Sequence, residues 1–355
     1  MASILSEEFL KDYKNKKAPL SPMGEFVYLR TYSRYLEDKK RRENWFETVL
    51  RTTEYNVWLG IDYKKKHGIE IDFAKEQREA EFLFDNLFHL RTFTSGRTLY
   101  MGGTEIVKEY PLSNYNCCFT IIEKLNDLVD VFYLLMLGCG VGVRIDREKI
   151  KKLPRVRKIQ LKGWYDPEVR KHTPKDLMEN TKLIIEEDKT ALIRVGDSKE
   201  GWCDALRFYF DFIINEKYKD INVLSIDYSY VRPEGERLRR FGGRASGYKS
   251  LKRMFDKING VMNKTRDGML QSIDVLDVAT IISENVVSGG VRRSAMMIIC
   301  DEGDEAVIHA KENIYSVVDG KWVENKEISH RKMSNNSVLY TEKPSLKRIK
   351  EILNS

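Results

Sequence analysis

Residues 114–122 read NYNCCFTII, and the part of the chain that decides the fold begins here. Two adjacent cysteines lead into an apolar run that is typical of a buried strand. Neighbouring side chains on a strand point to opposite faces, so we expect Cys117 and Cys118 to face different environments. One would face a site or the core, and the other would lie among packed side chains on the opposite face.

From about residue 115 onward, short apolar runs alternate with amphipathic segments. Alternation of this kind predicts an α/β fold in which helices cover a parallel sheet. The predicted strands are 116–122, 140–145, 222–226, 295–299 and 337–340. The predicted helices are 127–137, 199–215, 248–262 and 273–287. Residues 147–195 are polar and irregular, which predicts an insertion or excursion from this scaffold.

The first 95 residues show the spacing of helices instead. One apolar helical stripe consists of Trp45, Phe46, Val49, Leu50 and Val57. A second stripe follows a capping candidate, Asp72, and consists of Ala80, Leu83, Phe84, Leu87 and Phe88. We therefore expect an N-terminal helical region over 1–95 and the α/β scaffold over 96–355.

Composition points to a soluble globular protein, because 42% of the 355 residues are hydrophobic. The N-terminus has no long apolar run, which predicts no signal peptide. The longest apolar stretch, 128–137, contains Asp130 and is too short to span a bilayer. Five cysteines without regular spacing do not indicate a secreted disulfide framework, so we expect a cytoplasmic, reducing location.

The net charge of +7 comes partly from basic runs at 39–42, 64–66 and 147–162. The simplest interpretation is a solvated surface of mixed charge. Nucleic-acid binding by these runs stays open, but the sequence contains no recognition motif for it. A positive field would also favour small polyanions such as nucleotides.

Three glycine-rich stretches are candidates for ligand contact. They are Gly138–Val143, the loop 232–247 and the segment 283–295, in which Arg292 and Arg293 lead into a predicted strand. Glycine permits close approach of backbone or ligand, and arginine suits phosphate oxygens. Each stretch also has a purely structural interpretation, as a turn or an ordinary surface loop.

Metal-binding and hydrolase patterns are missing from the sequence. The five histidines are scattered and no two have the spacing of a ligand pair on one helix. We also find no nucleophile elbow and no Ser-His-Asp grouping. The sequence therefore predicts no bound metal of the His or Cys type.

The order of short motifs along the chain resembles the large chain of ribonucleotide reductases. The resemblance is strongest to the adenosylcobalamin-dependent (class II) ribonucleoside-triphosphate reductases. The motifs that carry it are 29–34, 43–45, 95–104, Asn116–Phe119, Gly138–Gly142, Asp197–Trp202, 232–235, 241–247, 289–295 and Met333–Val338. Each motif is modest alone, whereas the ordered series covers nearly the whole chain.

The resemblance implies a ten-stranded α/β barrel built from two five-stranded parallel halves. The five predicted strands would form the first half. It also implies thiyl-radical chemistry that converts ribonucleotides to 2′-deoxyribonucleotides, with adenosylcobalamin as cofactor and a dithiol that ends as a disulfide. The family's first-strand cysteine matches Cys117, in the pattern Asn-Cys-x-Phe. Cys118 then points the other way, into packing.

The resemblance also assigns binding residues. Substrate contact is expected from Ser95, Gly96, Gly140 and Arg292. Contact with an allosteric deoxynucleotide effector is expected from Asp127, Arg232, Gly243 and Arg293. Asp127 has an alternative role as a cap of the helix that it begins. Cys139, Cys203 and Cys300 are expected to be structural.

The chain departs from the family in one respect. It contains no Asn-Pro-Cys-x-Glu stretch, no second dithiol cysteine and no C-terminal cysteine pair, all of which the family carries in the other half of the barrel. We therefore expect a second polypeptide to supply that half, and a thioredoxin-like reductant to restore the dithiol. The alternatives are a fragment of a longer chain, a truncated relic, or a non-catalytic nucleotide-binding regulatory protein.

Overall fold

The computed structural model describes residues 3–185, 190–236, 245–287 and 295–353. The chain divides into two compact units, Met1–Asn116 and Cys117–Ser355. The division lies between the two residues that begin the Asn-Cys-Cys-Phe motif. Within the described ranges, no helix combines the length and the apolar character needed to cross a bilayer.

The first unit is helical apart from one small two-stranded ribbon. Its helices are α1 (Glu7–Lys14), α2 (Pro22–Thr31), α3 (Trp45–Lys66), α4 (Phe73–Phe88), α5 (Gly96–Met101) and α6 (Glu105–Glu109). Its strands are β1 (Tyr35–Leu36) and β2 (Arg41–Arg42), and a 3-10 turn covers Pro111–Asn114. Both predicted apolar stripes lie on the longest helices, α3 and α4.

Local capping explains where these two helices begin. The Asn44 side chain accepts a hydrogen bond from the Glu47 N–H, and the Glu47 carboxylate accepts one from the Asn44 N–H. The Asp72 carboxylate accepts from the Lys75 N–H, so the predicted cap of α4 is confirmed. Between the helices, Trp45, Val49, Ala80, Phe84, Leu87 and Phe88 belong to one buried core.

The described residues of the second unit form two four-stranded sheets. Its strands are β3 (Cys117–Ile121), β4 (Gly140–Arg144), β5 (Gln160–Trp164), β6 (Lys182–Ile185), β7 (Ala191–Arg194), β8 (Val223–Asp227), β9 (Met296–Asp301), β10 (Tyr315–Val318), β11 (Lys321–Glu324) and β12 (Asn335–Leu339). Its helices are α7 (Leu125–Met136), α8 (Arg147–Ile150), α9 (Pro167–His172), α10 (Lys175–Met178), α11 (Lys199–Ile214), α12 (Tyr248–Lys264), α13 (Ser272–Val287), α14 (Glu305–Ile308) and α15 (Leu346–Leu353). Short 3-10 turns cover Glu216–Tyr218 and Ser329–Met333, and β10 and β11 form a separate hairpin.

The first sheet has the strand order β12-β9-β4-β3, and all of its pairs are parallel. One face is buried where α7 packs on β3 and β4 and α13 packs on β9. Val141, Val143 and Ile298 lie on this buried face. The predicted α/β class with a parallel sheet is therefore confirmed.

The second sheet has the order β5-β8-β7-β6, with β6 antiparallel at one edge. One part of the sequence prediction is wrong here, because the predicted strand 222–226 pairs with β5 and β7 and not with the strands of the first sheet. Its apolar pattern identified a buried strand correctly. Strand pairing depends on contacts distant in sequence, which the pattern of one strand does not encode.

The segment 147–195 is also more ordered than predicted, since it contains β5, β6 and β7. The central strand β7 has three buried residues, whereas the edge strand β5 alternates exposed and half-buried positions. Gln160, Lys162 and Trp164 are the exposed positions of β5. Polar residues at every second position gave this strand the appearance of a loop.

Candidate active site

Cys117 is the first residue of β3 and lies on the open face of the first sheet. The exposure pattern of β3 alternates, with Cys117, Phe119 and Ile121 exposed and Cys118 half-buried. Cys117 and Cys118 therefore face different environments, as the sequence predicted. Cys118 faces the helix-covered side but is less buried than expected.

The neighbouring strand leaves room beside the Cys117 thiol. Gly140 is the register partner of Cys117, and Gly142 is the register partner of Phe119. A Cβ at Gly142 would lie 2.8 Å from Phe119 Cδ2, so the Phe119 ring occupies the space above that glycine. The open face next to Cys117 is consequently flat, because β4 presents no side chain at its first position.

The amino ends of the parallel strands meet at the same edge as Cys117. The Val141 N–H donates to the Ala295 carbonyl at 2.9 Å, immediately before β9 begins. Asn335, the first residue of β12, is the register partner of Met297 on the open face. Arg292 and Arg293 lie outside the described residues. Ala295, two positions after Arg293, thus lies beside the start of β4, one strand spacing from Gly140 and two from Cys117.

The other cysteines are enclosed. Cys139, Cys203 and Cys300 are buried, which agrees with their predicted structural role. Burial raises the pKa of the Cys300 thiol to about 11 and raises the pKa of the Cys203 thiol further. Because the thiolate is the reactive form of cysteine, these two side chains are chemically protected at neutral pH.

Asp127 lies in the first turn of α7, where its carboxylate is already engaged. Oδ2 accepts hydrogen bonds from the N–H groups of Glu123 at 2.7 Å and Lys124 at 2.9 Å. The side chain is buried. This is the geometry of a residue that closes the start of a helix from inside its first turn. Contact between Asp127 and an effector stays a prediction.

Arg232 lies at the carboxyl edge of the second sheet and forms an ion pair with Asp197. The Asp197 carboxylate accepts from the Arg232 N–H and Nε, both at 3.1 Å, and from Arg170 Nη1 at 2.8 Å. Asp197 is almost fully enclosed, with 9% of its side chain exposed. Beside it, Arg194 Nε donates to Asp227 Oδ2 at 3.0 Å. Gly243 lies outside the described residues.

This arrangement of charges is not predicted by the sequence motifs, although both partners belong to them. Asp197 opens one motif and Arg232 opens another, but nothing in either motif predicts that they meet. A weak signal was available, because Asp197 directly follows a buried strand and the carboxyl ends of parallel strands converge.

Ser95 and Gly96 belong to the first unit, at the start of α5. The Ser95 Oγ accepts a hydrogen bond from the Thr98 N–H at 3.1 Å and so caps the helix. A Cβ at Gly96 would lie 3.2 Å from the Tyr32 ring. Both residues thus have local structural roles, and their contact with substrate stays a prediction.

Within the described ranges, no three His, Cys, Asp or Glu side chains are grouped closely enough to hold a metal ion. The chemistry that the first sheet offers is that of one exposed thiol beside flat backbone. Three arginines and two aspartates define the carboxyl edge of the second sheet.

Comparison with known proteins identifies the family. Residues 5–104 match the ribonucleotide reductase alpha domain, and residues 172–262 match the insertion domain of B12-dependent ribonucleotide reductase. The chain belongs to the ribonucleotide reductase family, as its motifs predicted. The insertion match overlaps the polar segment 147–195 only over 172–195.

Individual relatives agree with this result. An adenosylcobalamin-dependent ribonucleoside-triphosphate reductase from Lactobacillus acidophilus is 31% identical, over 94% of this chain and 48% of the relative. The protein of the same description from Lactobacillus leichmannii is 30% identical, over 92% and 47%. A crystal structure of B12-dependent (class II) ribonucleotide reductase superposes with a TM-score of 0.76 at 28% identity, over 94% and 48%. The chain therefore spans about half the length of the curated relatives it matches.

Proposed function

We propose that the chain forms half of a ribonucleotide reductase that converts ribonucleotides to 2′-deoxyribonucleotides. The observation that carries this proposal is the position of Cys117, exposed on the open face of a parallel sheet beside Gly140. The first sheet would form part of the first half of a ten-stranded α/β barrel. The domain limits stay as proposed from the sequence: helices over 1–95, barrel over 96–355, and an insertion near 147–195.

In this function Cys117 is one thiol of a redox pair. The ribonucleotide gains two electrons and two protons and loses its 2′-hydroxyl as water. Two thiols lose the same electrons and protons and become a disulfide. A second polypeptide would supply the other thiol, and a thioredoxin-like protein would reduce the disulfide again. The reducing cytoplasm is the location that suits this cycle.

The names of the relatives specify adenosylcobalamin, which supplies the radical that starts the reaction when it is bound. The open face of the first sheet fits a large, partly apolar group, because Phe119, Met297 and Leu339 are exposed there. We assign no residue of this chain to the cobalt. The role of this face is to present the Cys117 thiol and to exclude water once it is covered.

Substrate binding is proposed for Ser95, Gly96, Gly140 and Arg292. Gly140 has the best support, since it is adjacent to Cys117 and gives the ribose close access to the backbone. Arg292 is supported by the chain path, because the strand that follows it begins next to Val141. A guanidinium at this edge would bind substrate phosphate.

Effector binding is proposed for Asp127, Arg232, Gly243 and Arg293. Arg232 is held at the base of the loop 232–247 by Asp197, close to two further arginines of the same sheet edge. Such an edge attracts a nucleotide phosphate. A deoxynucleotide bound there would favour one arrangement of the loop, and this is the physical basis of allosteric coupling.

The test is reconstitution with a polypeptide that carries the Asn-Pro-Cys-x-Glu stretch and a C-terminal cysteine pair. Deoxyribonucleotide formation is measured with adenosylcobalamin and a dithiol. Cys117→Ser is expected to lower turnover roughly a hundredfold or more, because the redox thiol is lost. Cys118→Ser is the matched control and should retain turnover. Nucleotide binding without turnover would favour the regulatory alternative, and neither activity would favour a relic.

A further inference from the structure

Helix α3 contains a glycine that its own unit does not require. Gly60 is exposed, and a Cβ built there would meet nothing within 4 Å among the described residues. Glycine in a helix interior costs about 1 kcal/mol relative to alanine. Glycine at this position therefore leaves the backbone of α3 uncovered by a side chain, and it lowers the stability of the helix.

Gly60 lies in a groove between α3 and α4, which a short loop places side by side. The groove has a volume of about 570 Å³ and is open to solvent. Its lining residues are Asn56, Val57, Gly60, Lys64, Lys75, Glu76, Arg78, Glu79, Phe82 and Leu83. Phe82 is 73% exposed, an unusual value for a side chain of that size on a helix that already buries its other face.

The charges on the rim of the groove are unequal. Lys64 pairs with the buried Glu76, and Lys75 lies 4.0 Å from Glu79. Arg78 forms no ion pair with any residue that the structure describes, and it is exposed. The groove is therefore apolar at its base, and Arg78 is the one cation in excess over the carboxylates among its described lining residues.

We propose that this groove docks an amphipathic helix of a partner protein, with an apolar stripe facing Val57 and Leu83 and acidic residues facing Arg78. A groove between two helices is the shape that receives a third helix. The missing side chain at Gly60 lets the incoming backbone approach closely. The acidic residues of the partner are inferred from Arg78, because the other two cations of the groove already lie beside Glu76 and Glu79. This proposal concerns the first unit alone and does not depend on the proposed reductase function.

The probe is a pair of fluorescein-labelled helical peptides of about 18 residues, which is roughly five turns. Both carry the same leucine stripe, flanked by glutamate in one peptide and by lysine in the other. Fluorescence anisotropy is measured while the full-length chain is titrated in. The glutamate peptide is expected to bind about tenfold or more tightly than the lysine peptide, because only the former complements the rim.

Three variants locate the binding site. Gly60→Leu fills the groove and is expected to weaken the glutamate peptide about tenfold. Arg78→Glu is expected to reverse the preference between the peptides. Gly260→Leu is the matched control, because Gly260 is also a mid-helix glycine with open space around it, on α12. Far-UV circular dichroism checks that each variant is folded.

Equal binding of the two peptides would overturn the proposal, since the rim would then have no role. Unchanged binding by folded Gly60→Leu would overturn it as well, because the peptide would lie elsewhere. Weakening by Gly260→Leu to the same extent would indicate a general effect of the substitution and would also contradict it.

Discussion

The two sheets of the second unit have the same number of strands, but they differ in which of their surfaces are open and which are closed. The first sheet buries one face and leaves the other open, with Cys117, Phe119 and Met297 exposed on it. The second sheet closes its carboxyl edge with ion pairs, centred on Asp197 and Asp227. An open face suits the proposed role of the first sheet, since a reactant must reach the Cys117 thiol. An edge closed by ion pairs suits the proposed role of the second sheet, since a binding loop must start from a fixed point.

The comparison also separates two uses of glycine. Gly142 lies on the open face, where an added Cβ would meet the edge of the exposed Phe119 ring. Gly196 lies between β7 and Asp197, where an added Cβ would be 2.3 Å from the Glu179 carbonyl oxygen. Side chains on the open face can move away, and backbone in the closed edge cannot.

The largest effect is expected from breaking the charged edge of the second sheet. Asp197→Ala removes the common partner of Arg170 and Arg232. Among the described residues, Arg170 then has no carboxylate partner, and Arg232 keeps Glu236, whose Oε1 lies 4.0 Å from Arg232 Nη1. We expect the free energy of unfolding to fall by about 3 kcal/mol, measured by urea denaturation.

Asp204→Ala is the control for this change, because it removes an exposed pair with Arg207 on the surface of α11. Its cost should be about 0–1 kcal/mol. Equal losses in the two variants would contradict the view that the edge is held by enclosed charge.

The two glycines sharpen the comparison. Gly196→Ala is expected to cost about 2–3 kcal/mol, because the new methyl group overlaps fixed backbone. Gly142→Ala is expected to cost less than about 1 kcal/mol, since the Phe119 ring can turn toward solvent. Thermal unfolding of both variants measures the difference. A larger cost at Gly142 would mean that the open face is more tightly packed than its exposure indicates.

A smaller effect, dependent on pH, is expected at the ion pair between Arg144 and Asp301 at the first sheet's carboxyl edge. Burial alone would raise the pKa of Asp301, but the Arg147 N–H and the Arg144 guanidinium together lower that pKa below its usual value. A lowered pKa in the folded state stabilises above the unfolded pKa of about 3.9 and is lost as pH falls through the folded value.

Asp301→Asn should therefore reduce stability at pH 7 by about 1–2 kcal/mol. The difference between the variant and the wild type should shrink below pH 4. Urea midpoints at several pH values measure this. A gap that stays constant down to acidic pH would contradict the assigned role of the carboxylate.

Much of this fold could be predicted from the sequence, because its elements are strongly periodic. The bounds of α11, α12 and β4 match the predicted ranges 199–215, 248–262 and 140–145 closely, since capping residues and apolar spacing act locally. The opposite facing of Cys117 and Cys118 follows from strand geometry alone.

The features that the sequence did not predict depend on contacts between residues far apart in the chain. The pairing of β8 with β5 joins residues far apart in sequence, and so does the pairing of Arg232 with Asp197. The sequence around a strand or a charged residue does not indicate which distant residue it will pair with. The resemblance to reductases supplied the order of the motifs but not these contacts.

The central claim is that Cys117 is the accessible redox thiol of the chain. Alkylation by iodoacetamide at pH 8, followed over time and mapped by peptide mass spectrometry, tests this most directly. We predict that Cys117 reacts first, about tenfold or more faster than Cys118, while Cys139, Cys203 and Cys300 stay unmodified until the chain unfolds. If Cys118 or a buried cysteine reacts before Cys117, the open face does not present the thiol that the proposed chemistry requires.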